Sequence, residues 1–441
     1  MQILFSRCCG LDVHKDSVTA CVLIYSSSPE PEVRKKQYET HAKALESMRL
    51  WLFSQKVTHV AMESTGVYWK PVWQVLEGHF HLTLANPFQV KNIPGRKTDR
   101  RDSQWIAELL AHGLIRPSFV PPLATRQLRD WTRYRVKLSE EKNRIHNRIH
   151  KALEDACLKL DTVASDILGV SGRAIIQGII DGVESPNFLA ERAKGRMTKK
   201  IPQLRLALRG RVSEHHRQLL RELMEDLKYV EDKITKLNKT IRDSVDQKAV
   251  DRLCSIPGVD EITAWTILAE LGTDMTVFED AKHAASWAGL CPGNHESAGK
   301  RLSNRTRKGN RWLRRGLCQS AWAASHKKNC YLSAFFYRKA AKRGERKAII
   351  ATAHHILVIA YCLLRDQTNY REVGGDYFDR MHPERTRNRL VRRLERMGLQ
   401  VTVQTDPTDP TPSAAPSKRR RGRPCKCVER NIPCTHNQLT P

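Results

Sequence analysis

The sequence predicts an α/β domain followed by a mainly helical body and a basic tail. Strand-like apolar runs are confined to roughly the first 118 residues of a 441-residue chain, where they alternate with short helical patterns. From Leu123 onward the apolar residues recur at helical spacing. After about residue 370 the chain turns Arg-rich, then rich in Pro, Thr, Ser and Ala. We divide it into 1–118, 119–250, 251–370 and 371–441, a length sufficient for several domains.

In the first domain, Ile3-Leu4-Phe5 and the run Cys21 to Ile24 flank Gly10-Leu11-Asp12-Val13-His14-Lys15-Asp16. They read as a first hairpin with Asp12 within or at the end of its first strand. Val33 to Thr40 is a third strand, charged enough to lie at an edge. Ala42 to Leu52 has helical spacing, and His59 to Met62 is a short buried strand ending at Glu63. Val67 to Leu76 is helical, Leu82 to Ala85 is a strand closed by Asn86-Pro87, and Asp99 to His112 is a helix stopped by Gly113. The order βββαβαβα is that of the ribonuclease H-like fold.

The acidic residues fall at particular points of that order. A carboxylate at a sheet's buried edge is costly without a partner. Asp12 lies on the first strand and Glu63 caps the fourth, and parallel neighbours bring those two ends together. Asp99 and Asp102 open the last helix at i and i+3, which puts them on one face, about 5–6 Å apart at Cβ. Four convergent oxygen donors suit one or two Mg2+ or Mn2+ ions. Such ions would activate an attacking oxygen and steady the leaving one in phosphodiester cleavage. Singly each acid has a plainer reading: Asp99 as an N-cap, Asp102 as a first-turn complement to the helix dipole, Glu63 as a solvated strand end. Their joint placement is what points to metal. Asp16 is expected outside the ligand set.

In the middle, Pro121-Pro122 marks a boundary and Leu123 to Leu160 reads as one long helix. Arg126, Arg129, Arg133, Arg135, Lys137, Arg144 and Arg148 give it a basic side, interrupted by Trp131 and Tyr134. Such a side could follow a nucleic-acid backbone, or be the solvated face of a structural helix. Four glycines between Ser165 and Gly182 suggest short helices joined by turns. Leu220, Leu223, Leu227, Val230, Ile234, Leu237 and Ile241 form an a/d coiled-coil seam. Pairing with a second protomer is the preferred reading, and folding back on the Leu123–Leu160 helix is the alternative.

In the third domain, a helix, the turn Ile256-Pro257-Gly258-Val259 and the apolar helix Thr263 to Leu271 make a helix-hairpin-helix pattern. Its turn amides could hold a phosphate without reading sequence. Phe278 to Leu290 reads as a further helix. Then comes an unusual loop, with Ser297-Ala298-Gly299 followed by eight Lys or Arg between Lys300 and Arg315. Lys300, Arg301, Arg305, Arg307, Lys308 and Arg311 are candidate nucleic-acid contacts. A Ser hydroxyl beside such a field could attack phosphorus, the cations stabilising the oxyanion charge. Composition alone favours the plainer reading, a phosphate-binding loop whose Ser donates a hydrogen bond. Lys347 to Leu364 is an apolar core helix.

Lys plus Arg number 76 against 47 Asp plus Glu, a formal net charge of +29. That excess, spread over the chain, favours a nucleic-acid partner. In the tail, Arg-Gly-Arg-Pro at 421–424 resembles an AT-hook, with Arg421 and Arg423 fitted to a narrow minor groove; a generic polybasic tail is the alternative. Cys425, Cys427, Cys434 and His436 could hold a structural Zn2+, though Cys-x-Cys is tighter than the usual spacing. The other cysteines, Cys21, Cys157, Cys254, Cys291, Cys318, Cys330 and Cys362 among them, sit singly in apolar segments and are expected to be buried thiols of a reducing compartment. With no run of about 18 apolar residues and no signal-peptide pattern, no membrane span is expected and a cytoplasmic location is.

At Gly10–Asp16, Met62–Trp69, Lys97–Ala107 and Ile256–Arg315 the chain resembles the DEDD transposases of bacterial insertion sequences. The group is the insertion sequence 110 family, and more closely its 1111 branch, and the likeness covers roughly residues 8 to 370. The resemblance implies a RuvC-like N-terminal domain with Asp12, Glu63, Asp99 and Asp102 as its metal-binding set. It implies a C-terminal transposase domain with a nucleophilic Ser, matched here by Ser297, with Ser303 as rival. It further implies DNA cut and rejoined through a serine–DNA phosphodiester, a structured guide RNA, and active sites assembled from different protomers of a dimer or tetramer. The expected function is a transposase or recombinase that excises and inserts its own element in double-stranded DNA, at the bacterial nucleoid. The rivals are a Holliday-junction resolvase-like nuclease using water and a non-catalytic nucleic-acid-binding protein.

Overall fold

The computed structural model describes residues 2–26, 30–64, 66–87, 90, 102–293, 295–297, 300–303, 305–306 and 308–403, with backbone alone for 295–297 and 300–303. Asp99, Arg307, Arg421, Arg423 and the Cys425–His436 group lie outside the described residues. The chain forms two compact units, Met1–Gly375 and Asp376–Pro441.

The first unit opens on a six-stranded mixed sheet. Its strands are β1 (Arg7–Val13), β2 (Ser17–Ile24), β3 (Glu32–Glu39), β4 (His59–Glu63), β5 (His81–Ala85) and β6 (Pro117–Ser118), in the order β3-β2-β1-β4-β5-β6. β1, β2 and β3 pair antiparallel, β4 and β5 join parallel to β1, and β6 closes the far side antiparallel. This order is consistent with the ribonuclease H-like expectation. The charged β3 lies at an edge, where polar side chains discourage further strand pairing.

Period-two alternation sends each strand's residues to two faces. Leu11, Val13, Val60 and Met62 pack with Leu45, Met48 and Leu52 of α1 (Ala42–Ser54) and with Val72 and Leu76 of α2 (Trp69–Leu76). On the opposite face Cys8, Cys21, Leu23 and Ala61 pack with Ile106, Ala107 and Leu110 of α3 (Asp102–Ala111). Burial of this kind contributes about 1.5–3 kcal/mol per large apolar side chain.

The helical body begins with α4 (Leu123–Asp155), which stops short of the expected Leu160 because Cys157 takes a left-handed φ of 58°. Small helices follow: α5 (Leu160–Val163), α6 (Val170–Ile180), α7 (Pro186–Glu191) and α8 (Ile201–Ala207). α6 runs straight through Gly172 and Gly178, which were expected to mark turns. At Gly172 a Cβ would lie 2.1 Å from the Ile167 carbonyl oxygen, so this glycine serves close packing.

The long α9 (Glu214–Ser244) folds back on α4. Its seam residues Leu220, Leu223, Leu227, Val230, Leu237 and Ile241 share one apolar cluster with Leu128, Leu138, Ile145 and Ile149 of α4. Polar ties cross the pair: Arg135 Nε donates to Asn238 Oδ1 at 2.6 Å, and Lys142 Nζ lies 2.8 Å from Glu231. The preferred reading of the seam as a contact between protomers is thereby corrected. The seam is covered within the chain.

Next come α10 (Gln247–Cys254), α11 (Glu261–Leu271), α12 (Ala281–Trp287), a hairpin of β7 (His295–Ser297) and β8 (Lys300–Ser303), then α13 (Arg311–Ser325), α14 (Tyr331–Arg343) and α15 (Glu345–Asp366). The helix expected over Phe278 to Leu290 is shorter, because Asp280 caps it by accepting from the His283 amide at 2.8 Å. One apolar cluster runs from Leu128 to Leu364 through this whole body.

α15 qualifies the membrane expectation. It is long and apolar enough by length and composition to cross a membrane. Half of its most apolar window is nevertheless buried, with Ala353, Ile356, Leu357 and Ala360 in the core cluster. The cysteine expectation also needs correction: Cys8, Cys9, Cys21 and Cys330 are buried, whereas Cys157 and Cys254 are exposed. Burial pushes the Cys8 thiol up to about 12 and Cys21 to about 11. The second unit contributes two Arg-bearing helices, α16 (Tyr377–Met381) and α17 (Pro383–Glu395), separated where Pro383 starts the latter.

Candidate active site

Three of the four predicted acids fall on one face of the sheet domain. The β1–β4 register pairs Gly10 with Ala61 and Leu11 with Met62, so Asp12 and Glu63 stand at neighbouring positions where the two strands end. Cys8 and Ala61 both pack under α3, and alternation carries Asp12 and Glu63 to that same side. Gly10 admits the helix: a Cβ there would lie 2.1 Å from the Ser103 carbonyl oxygen and 2.4 Å from the Ala107 amide nitrogen. The first turn of α3, with Asp102, is thus pressed against β1 one alternation away from Asp12.

Asp12 is partly exposed, at 23%, and accepts from His14 Nε2 at 3.1 Å. Asp102 is half-buried, and Glu63 likewise. The three carboxylates share a face but do not close into a tight triad. Among the described residues the group with ligand atoms all within 4.8 Å is His150, Glu154 and Asp161, at the end of α4. There Lys159 is bonded to Glu154 and His150 to Asp161, so the surface group is already paired. The Asp12 set is an all-oxygen donor set that fits a hard divalent cation.

Ser297 lies at the end of β7, its backbone paired with Lys300 of β8. The base of this hairpin is fixed from several sides. Gly293 N–H donates to the Arg305 carbonyl at 2.9 Å, and Pro292 bridges to Thr306. Gly309 passes so close to Gly289 that a Cβ would meet its nitrogen at 2.3 Å. Asn310 then caps α13, its Oδ1 accepting from the Trp312 and Leu313 amides at 3.0 and 3.1 Å. Its Nδ2 donates to Glu270 Oε2 at 2.6 Å.

Glu270 was not singled out in the sequence, and it is the buried hub of this region. Its side chain is fully buried on α11. Arg133 meets it with both Nε and Nη2, at 2.8 and 2.9 Å, and Arg129 Nε lies 3.4 Å away while donating to the Ala269 carbonyl at 2.7 Å. Burial pulls the Arg129 guanidinium below its ordinary value, and Glu270 opposes that pull. The one available signal was an acid inside the apolar run Trp265 to Leu271, which demands a buried partner.

The same contacts correct the reading of α4 as a basic nucleic-acid track. Arg126 bonds Glu77, Arg129 and Arg133 bond around Glu270, and Arg135 bonds Asn238. These cations are structural. Exposed cations remain at Arg305, Lys308 and Arg311, beside the Ser297 hairpin.

Comparison with known proteins agrees with this architecture. The transposase family model DEDD_Tnp_IS110 matches residues 9–158, and the model of the transposase IS116/IS110/IS902 family matches residues 250–338. A "Probable family 20 transposase" of Pseudomonas aeruginosa is 26% identical over 71% of this chain and 85% of its own length. The "Insertion element IS110 uncharacterized 43.6 kDa protein" of Streptomyces coelicolor is 32% identical over 27% of this chain and 29% of its own. A "Pilin gene-inverting protein" of Moraxella bovis is 27% identical over 38% of this chain and 59% of its own. With its sheet-borne acids matched by one model and its basic hairpin by the other, the chain belongs to the IS110 family of DEDD transposases, enzymes of DNA transposition and site-specific recombination.

Proposed function

We propose that this chain excises and inserts its insertion sequence by cutting double-stranded DNA and rejoining it through a Ser297–DNA phosphodiester, with a structured guide RNA choosing the sites. The observation that supports this best is the common face of Asp12, Glu63 and Asp102, held by the contact of α3 with Gly10. Asp99 would complete the acidic set, and together they would hold Mg2+ or Mn2+, which supplies charge neutralisation at phosphate. The chain's own residues do the rest. The Ser297 oxygen attacks phosphorus and forms a Ser–O–P bond as the bond to one DNA oxygen breaks; the Ser proton leaves, and the departing DNA oxygen is protonated. Arg305, Lys308 and Arg311, with Lys300, Arg301 and Arg307, neutralise the oxyanion. The Gly258 turn between α10 and α11 acts as a helix-hairpin-helix phosphate contact. Arg421 and Arg423 reach the minor groove, and the active form is a homo-oligomer.

Trapping tests this. Wild-type protein with element-end DNA and Mg2+ is expected to give a covalent protein–DNA adduct, absent in Ser297→Ala and in Asp12→Ala and abolished by chelation. Clean cleavage by Ser297→Ala would instead indicate water as nucleophile. An adduct retained by Ser297→Ala and lost in Ser303→Ala would move the nucleophile. Strand cleavage unaffected by Asp12→Ala would remove the acidic site from the chemistry.

A further inference from the structure

Beside the hairpin base lies a cleft of about 490 Å3 that none of the chemistry above uses. Such a volume falls in the range of small-ligand sites. One wall is a stripe of α4 carrying Arg135 and Asn143, and the other a stripe of α13 carrying Trp312, Arg315 and Gln319. The floor is the Gly258–Asp260 turn with the first turns of α11 and the side chain of Ser320.

The polarity of the cleft is graded. Arg135 and Arg315 flank it, and further cations gather on the Trp312 ring: Arg311 at 4.5 Å, with Arg133 and Lys137 at 5.8 Å. The floor is not cationic. There Asp260 already occupies the N-terminus of α11, its Oδ1 accepting from the Thr263 amide at 2.8 Å. A phosphate is repelled from that floor and attracted to the rim. The floor also holds a buried hydroxyl: Ser320 is 1% exposed, and its Oγ has no hydrogen-bond partner. A buried hydroxyl without a partner costs free energy until something supplies one.

A cationic rim with an aromatic ring, over a neutral-to-acidic floor with an open hydroxyl, matches one chemical class entered base-first. We infer that this cleft receives a single unpaired nucleotide of the bound nucleic acid, its base edge on Ser320 and Gln319 and its phosphate at Arg135 and Arg315. Unstacked bases are read in this manner by polar edges and aromatic walls. The position suits it, because the loop bearing Ser297 runs directly into α13 at Asn310. The inference rests on the nucleic-acid reading above but not on the serine chemistry.

The test is equilibrium binding of the full chain to short duplexes carrying one unpaired nucleotide, made as RNA and as DNA, with matched duplexes in which that nucleotide is abasic. Gly316→Leu fills the cleft: its Cβ meets only ordinary contacts, 3.7 Å from the Thr263 and Thr266 methyls, and leucine favours the helix. Wild-type protein is expected to bind the bulged duplex about tenfold tighter than its abasic match. Gly316→Leu should erase that difference while binding fully paired duplex as before. Ser320→Ala should lower it about threefold without loss of thermal stability. The RNA or DNA series with the larger difference identifies the source strand. Equal binding of bulged and abasic duplexes by wild type, or an unchanged difference in Gly316→Leu, overturns the inference. If wild type forms no covalent adduct yet shows the bulge preference, the serine chemistry falls and the cleft stands.

Discussion

Gly10→Ala isolates the contact that carries Asp102 to the sheet. The added Cβ would sit 2.1 Å from the Ser103 carbonyl oxygen and 2.4 Å from the Ala107 nitrogen. Both are helix backbone, so no side chain can swing aside. Because Cβ contacts below 3.0 Å essentially do not occur, α3 must retreat by nearly an ångström. Asp102 adjoins Ser103 and moves with it. Overpacking of this kind costs about 1–3 kcal/mol, and a 1 Å misplacement of a catalytic group costs on the order of 10²-fold in rate. The assay is single-turnover cleavage or adduct formation with saturating DNA, with urea denaturation read in parallel. Gly172→Ala is the control, since it places a Cβ 2.1 Å from the Ile167 carbonyl oxygen within the helical body. It should lose similar stability and keep the wild-type rate. A folded Gly10→Ala protein cleaving at the wild-type rate would refute the placement of Asp102. So would an equal rate loss in Gly172→Ala.

Three further outcomes follow from the same contacts. Glu270→Gln should lower stability by about 3 kcal/mol, the low end for breaking a buried pair because Arg133 is 36% exposed and can be hydrated; a shift in the urea midpoint measures it, and an unchanged midpoint contradicts the hub. Leu227→Ala should cost about 2–5 kcal/mol, with a midpoint shift independent of protein concentration because Leu227 is buried against its own chain; a concentration-dependent shift would restore the seam to a partner protomer. Burial pulls His354 and His355 below the ordinary 6.5, so the unfolded chain binds more protons between the folded value and 6.5. The stability they contribute is complete above 6.5 and is lost as pH falls through that window. Thermal midpoints from pH 7.5 to pH 5 should fall less in His355→Phe than in wild type, and identical profiles would count against the buried histidine.

What the sequence made legible was whatever local spacing controls. Alternation of apolar residues located β1, β2 and β4, and the β3 charges located an edge, since each is a property of a few adjacent residues. Asp12, Glu63 and Asp102 could be placed because strand ends and helix starts have local signatures. What failed was any question of which partner a surface meets. The α9 seam is as suited to a second protomer as to α4, because both offer an apolar stripe, and only the fold chooses. The arginines of α4 could not be told apart by spacing. Arg129 and Arg133 became structural because one acid, Glu270, arrives from about 140 residues downstream. Gly172 and Gly178 read as turns, yet serve helix packing, since a glycine's role depends on what approaches it.

The separation of apolar cores bears on how the acids and Ser297 are brought together. The sheet domain has its own clusters, and the body has another that begins at Leu128. Between α2 and α4 the described ties are ion pairs, Arg126 with Glu77, and Lys70 with Asp130 at 3.8 Å. Pairs of this kind contribute about 0–1 kcal/mol each when exposed, against several for a shared apolar contact. The internal geometry of each half is therefore stiff: α3 is locked on Gly10, and the hairpin base is locked through Asn310 and Glu270. The relation between the halves is soft by comparison. A site built from two stiff halves on a soft joint gains its final geometry from what binds across it. That is the arrangement expected of an enzyme whose phosphodiester substrate must be seated before the nucleophile meets its acids.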